Sequence, residues 1–147
     1  MTDFLKEINS KTTEAELDGL DSYYKRAESY LDRVEKDGNA DLVKAASYIR
    51  TAMLRDIGVT YAWKKIDQQA YKYLKMAEEG MKQYKYADLF PVSFKSGSEN
   101  YSMSYDDFKK SIPEYYESLG DLCNRLSKPE EAKEWYYTLI EFFHSTE

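Results

Sequence analysis

Leu54-Arg55-Asp56-Ile57-Gly58-Val59-Thr60-Tyr61, followed by Ala70, Leu74 and Ala77, is the stretch whose reading decides the fold. Its apolar residues recur at three- and four-residue steps, which gathers them on one face of an α-helix. The same series returns 62 residues later as Tyr116, Leu119-Gly120, Cys123, then Ala132, Tyr136 and Leu139. Gly58 aligns with Gly120 and Ala70 with Ala132. Small side chains at those positions let two helix backbones approach, and the large residues one turn away fill the space on either side. Two helical hairpins are therefore expected over 51–84 and 113–146, with Gly58 against Ala70 and Gly120 against Ala132.

Helical spacing continues on both sides of this stretch. A helix is expected over 13–36, with Leu17, Leu20, Tyr24, Ala27, Leu31 and Val34 on one face. Gly38 would end it in the left-handed conformation. The next helix runs over 40–65, and a third spans 67–84 with Asp67 as its N-cap. The segment 85–104 reads as a loop, marked by Phe90-Pro91 and Ser96-Gly97-Ser98. Ser104 and Asp107 have capping-box spacing, as do Ser111 and Glu114. A short helix over 105–110 is expected, then a longer one to 126 with Pro113 in its first turn. Pro129 opens the last helix, to about 144.

The whole reads as one all-α domain of five to six helices over 147 residues, as stacked antiparallel hairpins or a compact bundle. Residues 13–50 form its N-terminal helices. Three prolines and six glycines suit long helices, and strand patterns are nearly absent. No apolar run approaches the roughly 20 residues that span a bilayer. The first residues lack a basic stretch followed by an apolar one, so no secretion signal is read there. With one cysteine, no intrachain disulfide is possible, and a cytoplasmic location is expected. The net charge of −6 has the wrong sign for a phosphate backbone, so nucleic acid is not an expected partner. Fifteen tyrosines suit helix packing and interfaces alike.

The paired series resembles the tetratricopeptide repeat, whose unit of about 34 residues carries a large residue, Leu-Gly, an aromatic and two spaced alanines. The resemblance covers the two hairpins, about half of the chain. It departs from the family where Leu139 replaces the final alanine, and where 85–112 separates the units. It implies right-handed stacking and a groove lined by the first helix of each hairpin. By alignment that groove carries Arg55, Asp56, Val59, Ala62 and Trp63 from one unit. From the other come Glu117, Ser118, Asp121, Asn124 and Arg125. Such a mixed surface suits a peptide or helix of a partner, with Trp63 as its anchor or else packed on the N-terminal helices. The Lys and Asn positions of the family's carboxylate clamp are Arg55, Val59, Glu117 and Asp121 here, so that clamp is not expected.

Catalysis finds little material. Glu141-Phe142-Phe143-His144 has the Glu-x-x-His spacing of di-iron bundles, but no second copy exists. His144 reads instead as a helix-end residue. One cysteine and one histidine do not make a zinc site, and Cys123 reads as core filler. The expected protein is no enzyme and has no metal or cofactor. It binds a protein partner as a scaffold, adaptor or chaperone. The alternative is an acidic immunity protein or antitoxin that neutralises a toxin. A second copy of the chain is a further candidate partner through Phe142-Phe143, unless that pair caps the last hairpin.

Overall fold

The computed structural model describes residues 19–96 and 98–145. The expected helical residues 13–18, Leu17 among them, and position 146 lie outside the described residues. Among the described residues five α-helices carry the fold: α1 Leu20–Asp37, α2 Ala40–Trp63, α3 Asp67–Gln83, α4 Tyr105–Arg125 and α5 Pro129–Ser145. The order of packing follows the chain. Helix α1 packs on α2, α2 pairs with α3, α3 meets α4, and α4 pairs with α5. The protein is all-α, with one small two-stranded sheet between the hairpins.

The apolar stripes account for the core. Leu20, Tyr24, Ala27 and Leu31 of α1 are buried, as are Ile49, Met53, Leu54 and Ile57 of α2. Arg50 ties the two helices together at the edge, donating to Asp32 at 2.6 Å and lying 3.3 Å from Glu35. Helix α2 is buried nearly all round through its centre, as expected of a rod with neighbours on several sides. Tyrosine serves this core more than the surface. Tyr73, Tyr84 and Tyr115 are fully buried, and the Tyr115 hydroxyl donates to the Leu74 carbonyl at 2.8 Å.

The two hairpins close alike. Lys65 N–H donates to Ala62 O at 3.1 Å, and Ser127 N–H to Asn124 O at 3.1 Å. Ile66 N–H donates to Tyr61 O at 3.0 Å, and Lys128 N–H to Cys123 O at 2.8 Å. Lys65 and Ser127 both take left-handed φ, at 61° and 59°. Each of these pairs is separated by the same 62 residues as Gly58 and Gly120. The two glycines meet larger neighbours than expected. A Cβ on Gly58 would lie 2.6 Å from the Leu74 side chain, and one on Gly120 would lie 2.6 Å from the Tyr136 ring. The close partners are thus the large residues one turn beyond Ala70 and Ala132.

Several boundaries differ from the sequence reading. The segment 85–104 is not a plain loop. It holds a 3-10 turn, Ala87–Leu89, and an antiparallel hairpin of β1 Val92–Ser96 and β2 Glu99–Met103. Val92 and Phe94 alternate with exposed Ser93 and Lys95, and Val92 is buried beside α2. Phe94 stacks on Tyr101 across the strands at 5.4 Å. Each strand offers only two inward apolar residues, too short an alternation to announce itself. Phe90 anchors the segment among Tyr48, Tyr84 and Phe108, with ring centroids 5.9, 6.0 and 5.4 Å away.

Helix α4 runs unbroken through Pro113, where two helices were expected. The Ser111 hydroxyl donates back to Phe108 O at 2.7 Å and does not cap a new helix. The Ser104 box does form, with Asp107 N–H reaching Ser104 Oγ at 3.1 Å. Asp67 is not the cap of α3; Ile66 holds that place without a side-chain bond, and the Asp67 carboxylate accepts from Arg125 instead. Gly38 ends α1 in an extended conformation, φ −84° and ψ 162°. A glycine is still required there, because a Cβ would lie 2.5 Å from Val34 O.

Candidate partner-binding groove

Helices α2 and α4 lie side by side, and the trough between their exposed faces holds two adjoining depressions. The smaller, of about 300 Å³, is lined by Arg55, Asp56, Val59, Thr60 and Trp63 from α2 and by Ser111, Glu114 and Tyr115 from α4. The larger, of about 560 Å³, is lined by Ala62, Trp63, Lys65, Lys110, Pro113, Glu114, Glu117, Ser118, Asp121 and Arg125. Trp63 and Glu114 belong to both and form the ridge between them. The helical repeat explains the α2 side. Positions 55, 59, 62 and 63 fall on one stripe, one or two turns from the hairpin turn.

Each side chain has a distinct setting. Trp63 is 68% exposed, so its indole is not packed under the N-terminal helices among the described residues. Val59 and Ala62 are buried and form the floor. Arg55 donates through Nε and Nη2 to Asp56 Oδ1, both at 3.1 Å. Burial pushes the Asp56 carboxyl above its usual range, against the pull of that guanidinium. Arg125 Nε and Nη2 lie 3.0 and 2.9 Å from Asp67 Oδ1, closing the far end of the trough across the two hairpins. Glu117 and Asp121 are exposed on α4, and Asp121 accepts the Tyr136 hydroxyl at 2.5 Å.

Nine of the ten aligned groove residues therefore line one continuous trough. Asn124 does not. Three residues beyond Asp121, it is rotated by about 60° around the helix. It borders a hollow beside α5, where its amide donates to Tyr136 Oη at 3.2 Å. Sequence reasoning missed Ser111, Glu114 and Tyr115. They extend the 117–118–121 face by one turn toward the N-terminus, ahead of Tyr116, where the aligned series begins.

A cleft of about 1000 Å³ opens on the opposite side, between α3 and α5. Four of its charges are engaged with one another. Lys75 lies 2.9 Å from Glu78 and 3.2 Å from Glu131, Lys82 lies 2.9 Å from Glu78, and the Tyr71 hydroxyl donates to Glu131 at 2.9 Å. Burial works against the charge on Glu131, but Tyr71 and Lys75 hold its pKa below the usual range. Among the described residues the buried Trp135 Nε1–H has no acceptor in hydrogen-bonding geometry, although it still favours the charged form of Glu131.

The nucleophile and metal candidates are placed as follows. Cys123 is fully buried, and burial pushes its thiol up to about 11. His144 and Glu141 are exposed near the end of α5. Among the described residues no cluster of three His, Cys, Asp or Glu side chains is placed to hold a metal ion. No helix among them is long and apolar enough to cross a membrane.

No family model matches the chain, and no curated protein or solved structure is significantly similar to it.

Proposed function

We propose that the chain is a non-catalytic binding module of tetratricopeptide-like build that grips a peptide or helix of a partner protein in the α2–α4 trough. The observation that carries this reading is Trp63. A tryptophan 68% exposed on the ridge between two depressions is an expensive thing to leave in water, and indole is the side chain most often found at the energetic centre of an interface. The equal turn geometry of the two hairpins, at the same offset as the two glycines, supports the family resemblance. The test is affinity capture from the native cell extract with the wild type and with a Trp63→Ala, Glu117→Arg variant. Both positions are exposed, so the fold should survive. A specific partner held by the wild type should bind the variant at least about tenfold more weakly, a loss of about 1.4 kcal/mol. Equal capture by a variant of unchanged melting temperature would refute the groove.

A scaffold and a toxin neutraliser would use the trough differently. Asp106, Glu114, Glu117 and Asp121 are all exposed along α4, and the chain carries −6 overall. That distribution favours a basic partner drawn in by long-range attraction, as a neutraliser requires. An association rate that falls steeply with salt would select the neutraliser, and a flat dependence would select the scaffold.

A further inference from the structure

Helix α5 carries apolar residues on every side. Between Trp135 and Phe143, seven of nine residues are apolar or aromatic: Trp135, Tyr136, Tyr137, Leu139, Ile140, Phe142 and Phe143. A rod of that kind belongs inside a protein. Yet among the described elements α5 packs chiefly on α4, along Ala132 and Trp135, and leaves Tyr137 56% and Ile140 51% exposed.

The first hairpin shows what this face is for. The positions 62 residues before Lys133, Tyr137 and Ile140 are Tyr71, Lys75 and Glu78. On α3 these three face the second hairpin. Tyr71 and Lys75 both bond Glu131 of α5, and Glu78 pairs with Lys75. The positions at which α3 meets α5 across the cleft are therefore the uncovered ones on α5. Two of the three are more apolar there, Tyr137 for Lys75 and Ile140 for Glu78, the reverse of what a solvent-facing surface needs. Among the described residues the outer face of α1, at the other end of the array, is mostly charged, with Lys25, Arg26, Asp32 and Arg33 exposed, so a like face suits α5 better than head-to-tail stacking does.

We propose that this face pairs with the same face of a second copy of the chain, the two α5 helices running antiparallel about Tyr137. The charges suit that arrangement. Lys133 lies one turn before Tyr137 and Glu141 one turn after it, so two antiparallel copies bring Lys133 toward Glu141 at both ends. The hollow of about 220 Å³ lined by Ala132, Tyr136 and Ile140 gives the partner's apolar side chains somewhere to enter. The contact is modest. Helix α5 has 17 residues, about 25 Å of length, so the area falls near or below the roughly 800 Å² per copy of a standard interface. A dissociation constant of about 10 µM is therefore expected.

Sedimentation of the full chain from about 1 to about 300 µM tests this. The wild type should pass from monomer to dimer. Ile140→Asp should remain monomeric with unchanged circular dichroism. Lys133→Glu should weaken the dimer at least about tenfold, and Lys133→Glu with Glu141→Lys should restore it. A Tyr137→Cys variant under oxidised glutathione should form a disulfide-linked dimer, since Cys123 is buried and its thiol suppressed. A chain that stays monomeric throughout, or a dimer indifferent to Ile140→Asp or to Lys133→Glu, overturns the proposal.

Discussion

At Gly80 the backbone of α3 passes closest to a neighbour's side chain. A Cβ there would run into Thr51 of α2, at its Oγ1, Cγ2 and Cβ atoms. At Gly120 the obstacle is the half-buried Tyr136 ring, and at Gly58 it is the Leu74 side chain, with the Leu74 backbone nitrogen 3.0 Å away. Thr51 is buried and branched, with its hydroxyl bonded to Ser47 O at 3.1 Å, so it has little room to yield. Gly80→Ala should therefore cost more than Gly58→Ala or Gly120→Ala. About 3 kcal/mol against about 1 is expected in urea titrations, and Thr51→Ala should recover part of the larger loss. The legibility of these sites differed for a reason. Gly58 and Gly120 announce each other through their repeat, whereas the position 62 residues past Gly80 is Phe142. A close approach that occurs once leaves no internal copy to compare. Cys123 was legible as core filler from its slot in the series. Its buried thiol, pushed up to about 11, should resist iodoacetamide in the native protein and react as soon as the chain is unfolded.

Among the elements, helix existence was readable and helix junctions were not. Stripes such as Leu20–Tyr24–Ala27–Leu31 place α1 without ambiguity, because burial of one face requires them. The junctions depend on a single hydrogen bond going one way or the other. Ser104 accepts the Asp107 N–H and starts a helix, while Ser111, with the same spacing to Glu114, turns its hydroxyl back to Phe108 O and continues one. The β-hairpin escaped because its inward alternation is two residues deep on each strand. The turns of the two helical hairpins carry the clearest strain, with Lys65 and Ser127 at positive φ. L-residues pay for that conformation and glycine does not. Lys65→Gly and Ser127→Gly should each raise stability by roughly 0.5 kcal/mol, read as a higher urea midpoint. Of the trough, the α2 residues and Glu117, Ser118, Asp121 and Arg125 of α4 were legible from the repeat, and Ser111, Glu114 and Tyr115 were not, because they precede the aligned series that begins at Tyr116.

Over the molecule as a whole, tyrosine couples the core to pH. Burial raises the pKa of Tyr48, Tyr71, Tyr73, Tyr84, Tyr115 and Tyr116, and lifts Tyr24 and Tyr136 to about 12. Carboxylates add to the effect through Glu28 at Tyr24, Asp21 at Tyr73 and Asp121 at Tyr136. A pKa raised on folding contributes stability that is complete below the unfolded value, near 10, and drains away above it. The protein should therefore lose stability between pH 10 and about 12, with these eight phenols ionising together as it unfolds. The share of the tyrosinate absorbance that belongs to these eight should rise together with the loss of helix on one titration; all fifteen phenols ionised while the helix persists would contradict the linkage.

The two tryptophans are placed at opposite extremes, Trp63 at 68% exposure and Trp135 at 6%. One emission spectrum thus carries two colours. The red edge belongs to an indole bathed in solvent on the ridge, and the blue edge to one sealed between the last helices. Acrylamide should extinguish the first and spare the second, so occupancy of the trough and integrity of the second hairpin can be followed in the same cuvette without adding a dye.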